Sequence, residues 1–115
     1  MTAGALRRGD VVVIADRGGD YTGKPRPAVV VQADLFAALD SVTICPVTSA
    51  EVDAPATRLR IEPSEGLPLH MSCWIAVDKV TAVRRSRIGG VVGRLQAEDV
   101  RRLDGALAVF LGLAG

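Results

Sequence analysis

Three short β-branched runs, cut apart by glycine and proline, dictate what this chain builds. Val11-Val12-Val13-Ile14, Ala28-Val29-Val30-Val31 and Val42-Thr43-Ile44-Cys45 are each too short for a stable helix and favour extended backbone. Between the first two lies Asp16 to Pro25, a loop with glycines at 18, 19 and 23 that opens backbone conformations closed to other residues. The pair reads as a long-looped hairpin. A third strand follows over Ser41 to Val47, and Pro46 is expected to break it near its end. Before it, Ala33 to Asp40 is expected to form a single helical turn with Leu35, Phe36 and Leu39 packing inward.

Further strands are weaker. Arg58-Leu59-Arg60-Ile61 alternates, as a half-exposed strand does. Met71 to Val83 carries mixed β signals, and Ser86 to Gly93 has room for a short strand or bulge around Val91-Val92. The last segment is helical: Val100, Leu103, Leu107 and Phe110 recur at spacings of three and four, with Ala106 and Leu111 beside them. Glu98 and Asp99 suit the first turn, where the helix dipole favours anions. Gln96 is a poor N-cap, and Gly112 is the expected stop. A chain of 115 residues with this pattern is read as one domain over residues 1–115: a small, curved β-sheet with a C-terminal helix on one face or edge.

Several function classes are excluded by composition. No apolar run approaches the roughly 18–20 residues that span a bilayer, and residues 1–8 are not followed by a signal-peptide core. A cytosolic protein without membrane attachment is expected. Cys45 and Cys73 are too few for a disulfide scaffold and read as buried thiols. With His70 as the single histidine, a zinc site is not expected. A net charge of +1 gives no general nucleic-acid signal, although Arg84, Arg85 and Arg87 cluster. Such a cluster contacts phosphates or is simply a solvated strand face.

The candidate chemistry sits at strand ends. In Gly23-Lys24-Pro25-Arg26-Pro27 two prolines restrict the backbone around an arginine where loop becomes strand. A guanidinium held there suits a phosphate or carboxylate; an ordinary turn arginine is the alternative. Thr48 closes the third strand, and Asp78-Lys79 follows Trp74. Thr48-Ser49 also suits a simple turn, and Asp78-Lys79 a surface pair.

These pieces occur together and in order. Arg8-Gly9-Asp10-Val11-Val12-Val13, Gly23 to Val31, Ile44-Cys45-Pro46-Val47-Thr48-Ser49, Val77-Asp78-Lys79 and the ending Ala106 to Leu113 resemble the MazF/PemK (Kid) toxins of bacterial toxin–antitoxin pairs. The resemblance implies an SH3-like small β-barrel, mainly β with a C-terminal helix, working as a homodimer. It implies cleavage of single-stranded RNA, usually mRNA, without metal or other cofactor. The ribose 2′-OH attacks the adjacent phosphorus and leaves a 2′,3′-cyclic phosphate and a 5′-OH. Arg26 matches the family's catalytic arginine and Thr48 its catalytic threonine. Asp78 matches the acid given the role of general base in the Kid branch. Arg17, Tyr21 and Lys24 on the first loop, with Ser49 and Lys79, are the expected RNA contacts. Tyr21 is the one candidate platform for base stacking, or an exposed loop tyrosine.

Two departures stand out. The Kid pattern has an arginine two residues before the acid, and this chain has Ala76. Lys24-Pro25 adds one residue ahead of Arg26. A cognate antitoxin with an acidic, partly disordered segment is the expected protein partner, with the Arg84–Arg87 cluster as its receiver. Two alternatives come with the resemblance. A CcdB-like gyrase-inhibiting toxin has the same barrel but uses a tryptophan near its C-terminus; this chain ends Leu111-Gly112-Leu113-Ala114-Gly115. A catalytically impaired homologue acting only as a binding module is the other.

Overall fold

A computed structural model describes residues 6–15 and 26–114. Seven strands form one antiparallel sheet: β1 (Asp10–Ile14), β2 (Arg26–Val30), β3 (Ser41–Thr48), β4 (Arg58–Ile61), β5 (Cys73–Ala76), β6 (Thr81–Arg84) and β7 (Ile88–Arg94). Helix α1 (Ala97–Phe110) closes the chain. The spatial order is β4-β5-β3-β2-β1-β7. β3 is the longest strand and the hub. One of its edges pairs with β2; the other pairs first with β6 through Ser41–Ile44 and then with β5 through Val47–Thr48. The chain passes from β5 to β6 through a 3₁₀ turn at Val77–Lys79.

Both faces of the central strands are buried, which is why their sequences are unbroken apolar runs rather than alternations. On one face Val11, Val29, Cys45, Val47 and Ile75 meet Leu103 and Leu107 of α1. On the other, Val12, Ile14, Ala28, Val30, Val42 and Ile44 pack with Val83. The sheet bends at β7, whose pairing with β1 slips register twice. A Cβ on Gly93 would stand 2.8 Å from Leu67 and 2.9 Å from the Gly66 carbonyl, so only glycine admits that crossing.

Three expectations need correction. Pro46 does not break β3, which runs unbroken to Thr48. The Thr43 carbonyl accepts a bond from Val31 on the β2 side, so by the pleat's alternation the nitrogen of Pro46 faces the other edge. There it falls between the stretches paired with β6 and β5, where no donor is needed. Residues 34–36 do form a helical turn, but Leu35, Phe36 and Leu39 point outward, with Leu35 86% exposed. A three-residue 3₁₀ turn has no apolar face to bury, and polar bonds fix it instead: the Gln32 side-chain amide donates to the Phe36 carbonyl, and Arg85 donates to the carbonyls of Ala37 and Leu39. Phe110 lies on the helix stripe and Leu111 just past the helix, yet both are exposed; Leu103 and Leu107 carry the packing. The helix starts at Ala97 with no side-chain cap from Gln96. It stops at Gly112, whose φ of 77° closes the end.

Candidate functional site

The site follows from the register. Ala28 of β2 lies opposite Pro46 of β3. Two residues further towards the same end, that register aligns Arg26 with Thr48. Thr48 in turn pairs with Trp74 of β5, and Trp74 with Arg60 of β4. Side chains directly opposite across antiparallel strands share a face. Arg26, Thr48, Trp74 and Arg60 therefore form one row across four strands, on the face opposite the helix. Arg26 is exposed at the start of β2, and Thr48 and Trp74 are half-buried.

Local bonds set each group. The Ala50 amide donates to Thr48 Oγ1 at 3.1 Å, which fixes the hydroxyl and leaves its proton to donate outward. The Arg60 guanidinium carbon stands 5.8 Å from the centroid of the Trp74 ring, while its Nε donates to Glu62 at 2.7 Å. Ser72 also donates to Glu62, and together Ser72 and Arg60 hold that carboxyl below its usual range.

One pleat repeat along, Arg58 of β4 pairs with Ala76 of β5. Its Nε and Nη2 donate to the two oxygens of Asp78 at 3.1 and 3.5 Å. Hydrogen bonding from Arg58 holds the Asp78 carboxyl below the usual carboxylate range. Arg58 also lines a cleft of about 480 Å3, together with Arg60, Trp74, Arg102, Glu51 and Asp53.

The sequence-derived candidates fall into groups. Arg26 and Thr48 share the row. Ser49 follows it and is exposed; Asp78 and Lys79 occupy the exposed turn after β5. Arg17, Tyr21 and Lys24 lie outside the described residues. The arginine cluster is largely structural, contrary to expectation. Arg85 binds the Leu39 carbonyl and Arg87 the Ala15 carbonyl, because the 3₁₀ turn at Arg85–Arg87 packs against loops whose carbonyls lack strand partners. Cys45 and Cys73 are buried and unpaired with each other, and burial pushes the Cys45 thiol up to about 11. Among the described residues no cluster of His, Cys, Asp or Glu could hold a metal ion. Nor does any helix among them have the length and apolarity to cross a membrane.

Residues 7–111 match the PemK-like, MazF-like toxins of type II toxin–antitoxin systems. The chain belongs to that family. It is 49% identical over 110 residues to a probable endoribonuclease MazF of Mycolicibacterium smegmatis, covering 96% of this chain and all of the relative. Among solved structures it resembles the Mycobacterium tuberculosis toxin MazF-mt6 with a TM-score of 0.76 at 19% identity, over 92% of this chain and 99% of that one. It also resembles a mycobacterial endoribonuclease solved with its cognate antitoxin, with a TM-score of 0.75 at 19% identity, over 97% and 98% of the two chains. The matched family is the PemK/MazF one, which favours the main reading of the sequence over a gyrase-directed toxin. Within a PemK/MazF toxin the loss of arginine at position 76 takes on a structural meaning: the residue opposite Ala76 on the next strand is Arg58, and it supplies the guanidinium beside Asp78.

Trp74, Arg58 and Arg60 carry no local flag in the sequence that marks them as site residues. The alternation of Arg58 and Arg60 with Leu59 and Ile61 was a visible signal that both arginines share one face. The strand opposite them was not.

Proposed function

We propose that this PemK/MazF toxin is an endoribonuclease that cleaves single-stranded RNA by 2′-OH attack. The observation that carries the reading is the common row of Arg26 and Thr48 in a chain 49% identical to a probable endoribonuclease. The 2′-oxygen bonds to phosphorus, the bond to the 5′-oxygen breaks, and the 2′,3′-cyclic phosphate remains. The proton leaves the 2′-OH, and the 5′-oxygen gains one. Negative charge grows on the nonbridging oxygens as the phosphorane forms. Arg26 offsets it there more than in the substrate, which is what lowers the barrier. Thr48, with its lone pair already engaged by Ala50, donates its hydroxyl proton to the same phosphate. The nucleophile and the electrophile belong to one substrate, so these residues need only position and neutralise; we assign the reaction no metal or cofactor.

Arg17, Tyr21 and Lys24 on the loop before β2, with Ser49 and Lys79, are proposed RNA contacts. Trp74 joins them as a stacking surface in the row itself. Asp78 is engaged by Arg58 on both oxygens, and a carboxylate stabilised in this way is a poorer proton acceptor. The toxin is proposed to act as a homodimer in the cytoplasm and to be held by a cognate antitoxin. Val109, Phe110, Leu111 and Leu113 are exposed at and just beyond the end of α1, and apolar exposure of this kind supports a protein interface.

Incubation with a kilobase-length single-stranded transcript in EDTA tests the reading. The expected result is discrete fragments ending in 2′,3′-cyclic phosphate, slowed on the order of 10²–10³-fold by Arg26→Ala. Transcripts left intact in many sequence contexts would refute it.

A further inference from the structure

Arg58 is the least expected group on the site face. It is a charged residue on an edge strand, yet its side chain is only 13% exposed. Burying a guanidinium is costly unless its donors are satisfied. Asp78 satisfies one edge: Nε and Nη2 each give a hydrogen to its two oxygens. A guanidinium has five N–H groups, so three remain, all at the Nη1–Nη2 end. Arg58 lines the cleft beside Trp74, and those three hydrogens form a fork of the shape that grips a phosphate.

The other cations of the cleft are differently placed. Arg60 is committed to Glu62, and Arg102 to Asp99 and the Arg60 carbonyl. Both are far more exposed than Arg58, at 60% and 42% of their side chains. Glu51 and Asp53 also line the cleft, and their negative charge disfavours a run of anions there. From Thr48, Arg58 stands two strands across, about 9.6 Å, and one pleat repeat along, about 6.8 Å. That separation places it beyond the phosphate held by Arg26 and Thr48 but within reach of a neighbouring one on the same strand.

We propose that Arg58 binds a phosphate flanking the scissile one, and that Asp78 is the positioning residue that holds its guanidinium. This rests on the ribonuclease reading above. Arg58 then does from β4 what no side chain at Ala76 can do from β5. Trp74 lies between the two phosphate sites and receives the base that the backbone carries across it.

The test measures binding of an uncleavable oligonucleotide, the mapped cleavage sequence with a 2′-deoxy residue at the scissile step, together with cleavage of its all-ribose form. The double variant R58Q/D78N removes the pair without leaving a lone carboxylate. It is expected to weaken binding about tenfold or more and to lower the salt slope of log K by about 0.7, the value for one phosphate on a single strand. R58K keeps the charge but loses the fork, and recovers part of the affinity with the wild-type slope. D78N alone raises KM, keeps the slope and leaves the acidic limb of the kcat/KM profile in place. All variants are checked for an unchanged thermal transition, and R58K serves if the double variant is unfolded.

Unchanged affinity and slope in R58Q/D78N would overturn the proposal and leave the cleft to a protein partner. So would a D78N variant that loses kcat and its acidic limb at constant KM, because Asp78 would then be the proton acceptor. A wild-type protein that cleaves no RNA takes down the ribonuclease reading as well, whereas cleavage with an indifferent Arg58 sinks this inference alone.

Discussion

The centre of the sheet and its β4–β5 edge are built on opposite principles. In β1, β2 and β3 buried side chains lie on both faces, and only Arg26 and Ser41 at the strand starts are exposed. In β4 and β5 alternate residues part company: Leu59, Ile61, Cys73 and Ile75 join the core, while Arg58, Arg60 and Trp74 line the open face. Ile75 is fully buried and its neighbour Trp74 is not. Stability and chemistry thus alternate along a single strand. The centre supplies a rigid frame, and the edge presents groups that this frame fixes in register with Arg26 and Thr48.

Mutating those neighbours is the strongest way to break the contrast. Ile75→Ala should cost about 2–5 kcal/mol of stability, the usual range for truncating a core isoleucine, read by denaturant unfolding. If Ile75→Ala unfolds the protein no more readily than wild type, the edge strand is not anchored as described. Trp74→Ala should do the reverse. It should leave the thermal transition nearly in place and weaken RNA binding by about 1–3 kcal/mol, the range for one stacked base. A Trp74→Ala variant that binds RNA normally but melts early would make Trp74 part of the core after all.

Smaller effects refine the picture through pH. The Arg58 guanidinium hydrogen-bonds the charged form of Asp78 and holds its carboxyl below the ordinary value of 3.8. A lowered folded-state pKa means that the pair's stabilisation is complete above 3.8 and fades as pH falls through the lowered value. Asp78→Asn should therefore lose a small part of the wild type's acid sensitivity, seen as a shallower decline of Tm below that pH. Cys45 works in the opposite direction. Its raised pKa, about 11 against 9.0, means that the folded protein keeps the thiol protonated while the unfolded chain ionises, so ionisation favours unfolding. Stability should decline as pH rises past 9 and continue to fall towards 11; Cys45→Ala should be flatter across that interval.

Much of this frame is legible in the residues themselves. The β-branched runs at 11–14 and 28–31 predict strands because no other short structure suits them, and the stripe of Val100, Leu103 and Leu107 predicts α1. The failures have a common cause. Whether Leu35 or Phe110 is covered depends on how far another element extends over it, and periodicity carries no information about that. Pro46 looked like a breaker because its tolerance depends on which edge of β3 has a gap, a property of β5 and β6 rather than of β3. The site divides the same way. Arg26 stands out because two prolines flag it locally. Arg58 does not, because its partner Asp78 is 20 residues away and meets it only through the pairing of β4 with β5. Arg85 and Arg87 resembled a binding patch for the converse reason: the carbonyls that occupy them come from distant loops.

The central claim is that Arg26 and Thr48, brought level by the β2–β3 register, act on one phosphate. A double-mutant cycle on the cleavage rate tests it most directly, using Arg26→Ala, Thr48→Ala and the pair, each with an unchanged thermal transition. Groups that stabilise the same transition state together are strongly non-additive. The expected result is a double variant far faster than the product of the two single losses would give. A rate equal to that product would mean that the two residues work apart, and the row across the sheet would not be the reaction site.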